Sequence, residues 1–446
     1  MSAQGSKAQR IAIIGGGWAG MAAAVALQQQ GHHLCLWEAG RTWGGRARAL
    51  EITGPQGTPW TVDNGQHILI GAYQACLQAL QSVGVDARMQ LLRLPLDLRY
   101  ADGQGLQLPN LPPPWDALWG IARARGWQLG HKWALLRQAS RWQRQHFACA
   151  PQATVADLCR GLPATLLQDF VEPLCISALN LPAAQASGSI FLRVLQDGLF
   201  SGHGGSNLLI PRTDLSQLFP HSAAQWLQQR GAQLRLGQRV QQLQPGNAAA
   251  WCVDGLPFDQ VVLATACSDA ARLVQQLAAQ LPQPGPLQTW AATAAQLPHT
   301  AIATVYAHSA QLALPGQRLS APMVGLRSSA QAPAQFAFDK AQLGGPRGLI
   351  ALVVSAASGD KDTLQAQVLG QARAQLQLPD LQALKTVIDK RATFACTPQV
   401  QRPPQAIAPG LWACGDYVQG PYPATLEGAV RSGHAVAHAM QLLSTH

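Results

Sequence analysis

The sequence predicts an α/β protein whose parallel sheet is assembled from separated pieces of chain, with an α+β region inserted between them. Three observations carry this. An apolar run, Ile11-Ala12-Ile13-Ile14, opens directly onto Gly15-Gly16-Gly17-Trp18-Ala19-Gly20. A helical run from Met21 to Gln30 then leads to a second apolar run, His33-Leu34-Cys35-Leu36-Trp37, closed by Glu38. Far along the chain, Leu411-Trp412-Ala413-Cys414 reads as another buried strand and ends in Gly415-Asp416.

The first two observations form a strand, a glycine turn, a helix and a second strand with an acid at its end. Gly15 permits the sharp turn, Gly17 lets backbone N–H groups approach a pyrophosphate, and Gly20 lets the helix pack close to the strand. Trp18 and Ala19 open the helix, whose N-terminus offers unpaired N–H donors and a partial positive charge to the phosphates. Glu38, with Ala39 beside it, lies where a carboxylate accepts hydrogen bonds from ribose hydroxyls. An ordinary tight turn would explain the glycines but not the acid at the second strand's end.

Glu38 is followed by Gly44-Gly45-Arg46, a second glycine turn bearing an arginine that can wrap the same pyrophosphate from its other side. Acid, short loop and GGR together resemble the flavin-containing amine oxidase and phytoene desaturase superfamily. The resemblance implies FAD in an extended pose. It also implies that the segment holding Asp63-Asn64-Gly65-Gln66-His67 passes near the flavin ring, and that Val240 touches the adenine through its backbone. His67 is the one side chain in that segment that titrates near neutrality. The cluster is a site candidate or a satisfied polar turn ahead of a helix at 72–83.

The chain has 446 residues, too many for one simple core, so the flavin domain is assigned to 1–85, 200–270 and 395–446 and the substrate domain to 86–199 and 271–394. With 48% hydrophobic and 12% charged residues the chain is globular. The net charge of +10 favours anionic surfaces, but no basic tract resembles a nucleic-acid module, and no metal site is expected. Nine cysteines without a C-x-x-C pair read as reduced thiols of a cytoplasmic protein. Met1 to Gln9 carries no apolar leader, and no apolar run is long enough to span a bilayer, so any membrane contact is peripheral. No oligomeric state is assigned.

Beyond Asp86 the strand–helix alternation stops. Pro109 to Pro114 is a break, and Trp115 to His146 holds five tryptophans and six basic residues against one acid, Asp116. From Lys132 onward Leu135, Leu136, Ala139 and Trp142 share one helix face, and Arg137, Arg141 and Arg144 share the other. Such a helix suits a lipid–water interface, and it equally suits a domain helix with a solvated basic face. Thr154 with Asp157 marks a helix start. Phe170 to Leu179 is nearly all apolar, with Asn180 as its C-cap, and Ser189 to Phe200 is helical. These helices wall a greasy pocket or form plain core; periodicity does not separate the two.

Gln233 to Leu236 and Arg239 to Leu243 read as short strands, as do Thr300 to Ala307, Gln335 to Phe338, Leu349 to Val354 and Thr386 to Phe394. Asp416 can bind ribityl or phosphate-side hydroxyls. The helix opened by Thr425 and Leu426 can aim its N-terminus at the flavin pyrimidine.

Asp63 to His67, Pro173-Leu174-Cys175 with Ala178-Leu179-Asn180, and Tyr422 to Val430 together resemble the squalene-associated FAD-dependent desaturases now understood as hydroxysqualene dehydroxylases. The resemblance runs over essentially the whole chain. It implies non-covalent FAD, a lipophilic isoprenoid substrate and a reductive dehydroxylation in hopanoid biosynthesis, with His67 and Tyr422 as candidate proton donors. An oxidative isoprenoid desaturase or an amine oxidase of the same fold is the alternative, although no lysine sits where it could be placed at flavin N5. A flavin-stabilised scaffold without turnover is the second.

Overall fold

The computed structural model describes residues 8–200, 202–246 and 250–444. The stretch Met1 to Gln9, read above as carrying no apolar leader, lies through Lys7 outside the described residues.

A six-stranded sheet forms the floor of the molecule. Its order is Gln233–Leu236, His33–Glu38, Arg10–Ile14, Gln260–Leu263, Leu411–Ala413 and Ala406–Ala408. All pairs are parallel except the last. A parallel sheet covered on both faces needs strands that are apolar throughout. Ile11, Ala12 and Ile13 are fully buried and Ile14 is 4% exposed; each of the three isoleucines stabilises the fold by about 1.5–3 kcal/mol. The helix Trp18–Gln29 runs over this sheet, and the helix Leu426–Ser444 packs on it in turn.

The stretch read as a strand from Arg239 to Leu243 is not one. Pairing begins only at Leu243–Pro245, in a small antiparallel sheet with Trp251–Val253 and Leu256–Phe258. The reason is a competing acceptor: the Asp254 carboxylate takes the N–H groups of Gln241 and Gln242.

A second, antiparallel sheet has the order Met323–Gly325, Phe336–Asp339, Leu349–Ser355, His299–His308, Gln382–Phe394. Its last pair slips register between Thr300 and Ile302, a bulge that turns Ile302 toward the interior. The helices Trp115–Arg123, Leu129–Arg144, Glu172–Leu179 and Gly188–Leu199 share one buried apolar cluster with this sheet, through Ile121, Leu135, Leu179 and Phe191 on their side and Tyr306, Phe338 and Val353 on the sheet's. Thr154 and Asp157 form a reciprocal capping box at the helix Val155–Leu158, and Asn180 closes Glu172–Leu179 in the left-handed region at φ 53°.

Two of the expected domain boundaries fall inside structural units. Leu91–Leu94 pairs with Leu208–Pro211 across the 85/86 boundary, and the helix Cys267–Ala278 runs through 270/271.

Candidate active site

One continuous cavity of about 740 Å³ runs from the glycine turns to the helical region. Its near end is built by close backbone approach. Gly15 has φ +116°, and a Cβ on Gly20 would lie 2.0 Å from the Gly15 carbonyl oxygen, so the helix can enter at this depth only with glycine there. The second glycine turn lies directly against the first: the Gly44 N–H donates to the Gly16 carbonyl at 2.9 Å, and a Cβ on Gly45 would meet Gly17 Cα at 3.3 Å. The helix has Gly17 as its N-cap, no side-chain cap and no acid in its first turn. Trp18 and Ala19 line the cavity, so the helix start faces open space.

Glu38 lines the same end, and its carboxylate accepts from the Gly16 N–H at 2.8 Å and the Gly40 N–H at 2.6 Å. Each oxygen keeps a further lone pair for a ribose hydroxyl. The loop bearing Val240 is tied to this corner by the Gln238 N–H, which donates to the Glu38 carbonyl at 2.9 Å. Ala39, Val240 and Gly415 are also lining residues. Arg46 donates to the Ala392 carbonyl at 2.6 Å and pairs with Asp416, which raises the guanidinium pKa.

At the junction the lining turns polar, with Asn64, Gln66, His67, Asn180, Asp389 and Thr393. The His67 ring is only half-buried by surface, yet what it exposes it exposes to the enclosed cavity. Burial therefore lowers its pKa, Arg46 adds to this, and the Gly65 carbonyl works against it. That carbonyl is 2.7 Å from Nδ1 and can only accept, so Nδ1 carries a proton and Nε2 is the atom that gains or loses one. Gln66 accepts from Lys340 Nζ at 3.2 Å through Oε1, while its buried Nε2 has no partner. Beyond the junction the walls are Leu98, Ile121, Leu135, Trp142, Phe170, Leu174, Phe336 and Phe338.

A family model described as flavin containing amine oxidoreductase matches residues 18–441. The chain belongs to that family. As a flavin-containing amine oxidoreductase it is an oxidoreductase enzyme that uses flavin, and the glycine cradle, uncapped helix start and Glu38 fit a dinucleotide. It is 25% identical to the hydroxysqualene dehydroxylase of Zymomonas mobilis, over 95% of this chain and 97% of that protein. It is 26% identical to the hydroxysqualene dehydroxylase of Rhodopseudomonas palustris, over 95% and 96%. Among solved structures, an oxidoreductase from Methanosarcina mazei superposes with TM-score 0.70 at 16% identity, covering 96% of this chain and 100% of that one. Cyclohexylamine oxidase from Brevibacterium oxydans superposes with TM-score 0.66 at 15% identity, covering 98% and 100%. These two likenesses speak to fold alone.

The candidate residues of the oxidoreductase divide by place. Gly15, Gly17, Trp18, Ala19, Glu38, Ala39, Gly45, Arg46, His67, Val240, Gly415, Asp416, Thr425 and Leu426 line the cavity. Gly20 does not; it sits one layer back, where its missing side chain sets the helix depth. Tyr422 does not line it either. Its ring lies under the guanidinium groups of Arg193, at 5.4 Å, and Arg431, at 4.6 Å, and its hydroxyl interacts with Asp197 and Arg193. Asp63, the first residue of the polar segment, points away: its carboxylate accepts from the Leu215 N–H at 2.7 Å, and burial raises its pKa to about 6.

The helix near Thr425 starts as expected. Thr425 Oγ1 accepts from the Gly428 N–H at 2.9 Å and so caps it. Glu427, fully buried, accepts from the N–H groups of Ala75 and Cys76 and holds the start of the helix Gln74–Ser82. Sequence reasoning missed Lys340 and Asp389. Among the described residues no lysine lines the cavity, but Lys340, 8% exposed, stands just behind Gln66. The one signal was a lysine following the apolar strand Phe336–Asp339, since lysines are rarely buried without a partner.

Proposed function

We propose that this chain, with non-covalently bound FAD, removes the hydroxyl of hydroxysqualene reductively, giving squalene and water on the route to hopanoids. The observation that carries the reading is the single cavity, with a dinucleotide cradle at one end, polar groups at the junction and apolar walls beyond. Two full-length relatives named hydroxysqualene dehydroxylase support the substrate. No cysteine among the described residues lines the cavity, which supports non-covalent flavin.

The reaction breaks one C–O bond and forms one C–H bond. Reduced flavin, when bound, supplies the hydride. The chain's own residues handle the hydroxyl and its surroundings. His67, once protonated at Nε2, donates that proton to the substrate oxygen, which leaves as water. The unpartnered Gln66 Nε2 donates a hydrogen bond to the same oxygen, and Lys340 on Oε1 fixes the amide's orientation. The hydroxyl is allylic, so positive charge delocalises over the adjoining double bond, and Phe170, Leu174, Phe336 and Phe338 keep water from it.

The test is anaerobic incubation of the reduced holoenzyme with hydroxysqualene, followed by mass spectrometry. Squalene in proportion to enzyme oxidised is expected. Reoxidation without squalene, or desaturation of an isoprenoid by the oxidised enzyme, would replace this reading with the oxidative one.

A further inference from the structure

We propose that the outer face of residues 111–133 docks on an anionic lipid bilayer. Six large apolar side chains stand exposed there: Leu111 40%, Trp115 63%, Leu118 39%, Trp119 49%, Leu129 76% and Trp133 72%. Only five others are exposed among the described residues, and none of those five is a tryptophan. Leu111, Pro112, Trp115, Leu118 and Trp119 enclose a shallow apolar groove of about 350 Å³. Lys132 Nζ donates to the Ala122 carbonyl at 2.7 Å, which pins the start of the second helix beside the end of the first and brings both sets of side chains together.

Charge selects the occupant. Arg123, Arg125, Arg137, Arg141 and Arg144 are exposed on the same two helices and the turn between them, and none forms an ion pair among the described residues. The Arg123 guanidinium lies over the Trp119 ring at 4.7 Å. The stretch's one acid, Asp116, is 4% exposed and turned onto the Ala117 N–H, so it does not offset them. Tryptophan flanked by arginine is the composition of a lipid–water interface, where the ring sits at headgroup level and the guanidinium meets phosphate. Among the described residues no helix is long and apolar enough to cross a membrane, so the contact is interfacial.

The inner sides of these two helices lead to the same occupant. Ala117, Ile121, Leu135, Ala139 and Trp142 line the cavity, so a wall one helix thick separates the exposed tryptophans from the apolar chamber. A face that is apolar outside and backs an apolar chamber inside fits a bilayer from which a lipophilic molecule is drawn. The docking itself rests on the outer face alone. Its failure would leave the catalytic reading standing, and the reverse also holds.

The test is flotation of the full-length, flavin-loaded protein with phosphatidylcholine vesicles, with and without phosphatidylglycerol. The protein is expected to float with the anionic vesicles at low salt and to bind at least about tenfold less at high salt or without phosphatidylglycerol. The triple variant Trp115→Ser, Trp119→Ser, Trp133→Ser is expected to lose at least about tenfold in partition while keeping its flavin absorbance. Should that variant lose its flavin, Arg137→Glu with Arg141→Glu, both on the solvent side, decides the question by the same measure. A wild type that stays unbound on anionic vesicles at low salt overturns the proposal. So do variants that float like wild type, or a triple variant whose only change is loss of a dimer in light scattering.

Discussion

Replacing Asn180 by alanine removes a backbone accommodation and a set of side-chain bonds together, and the two can be measured apart. Asn180 sits at φ 53°, where asparagine is tolerated and alanine costs about 1 kcal/mol. Its Oδ1 accepts from the Ala356 N–H at 2.6 Å, and its Nδ2 donates to Thr300 Oγ1 at 2.6 Å and Thr393 Oγ1 at 3.1 Å. The two threonine hydroxyls bond each other at 2.9 Å, so they survive the loss. The half-buried Ala356 N–H does not, and leaving such a donor without its partner costs about 1–3 kcal/mol, the full range applying only as far as water stays out. Asn180→Ala should therefore lose about 2–4 kcal/mol. Asn180→Gly, which fits the backbone, should lose about 1 kcal/mol less. Urea unfolding of the holoprotein, read by far-ultraviolet circular dichroism, gives both values. Equal losses in the two variants would refute the backbone argument. Losses below about 0.5 kcal/mol in both would refute the bonding argument as well.

Gly20→Ala drives a methyl to 2.0 Å from the Gly15 carbonyl oxygen, and the purified variant should hold at least about tenfold less flavin, read from its visible absorbance. Burial puts the His67 pKa below its ordinary 6.5, so the proposed dehydroxylation should quicken as pH falls, and go on quickening below 6.5. His67→Gln should flatten the profile and slow turnover by about 10²–10⁴, as a pH–rate series would record. The Asp63 carboxyl, raised from 3.8 to about 6, binds its proton more tightly in the folded state than in the unfolded chain. Ionising it inside the fold costs about 3 kcal/mol, absent below pH 3.8 and fully present above 6. Asp63→Asn should therefore lose less stability than wild type between those limits, as urea midpoints at matched pH would show.

The parallel sheet was legible because its signals are local. A glycine turn between an apolar strand and a helix has one good physical use, and Glu38 at the end of the second strand marks the register. Asn180 as a C-cap and Thr154 with Asp157 as an N-cap were equally local, each a short polar side chain beside an apolar run. The rest depends on chain that is remote in sequence. That Asp254 would take the N–H groups of Gln241 and Gln242, and so keep Arg239 to Leu243 out of a sheet, requires knowing that a hairpin brings it back. Lys340 behind Gln66 is set by two segments with most of the second sheet between them. Tyr422 shares its stretch with the Thr425 cap, yet the arginines of two helices hold its ring outside the chamber.

The cradle is not a product of the first strands alone. Arg10–Ile14 gains its neighbour Gln260–Leu263 only after the whole helical region has been made, and Leu411–Ala413 joins later still. Until then the sheet shows a raw edge, and the first helix lacks the partner that covers its outer side. Synthesis on the ribosome therefore leaves a long interval in which the nascent domain is sticky and unable to grip its nucleotide. Such late, long-range closure folds slowly, and the flavin can be gripped only once Leu411–Ala413 and the Gly415-Asp416 turn after it are in place.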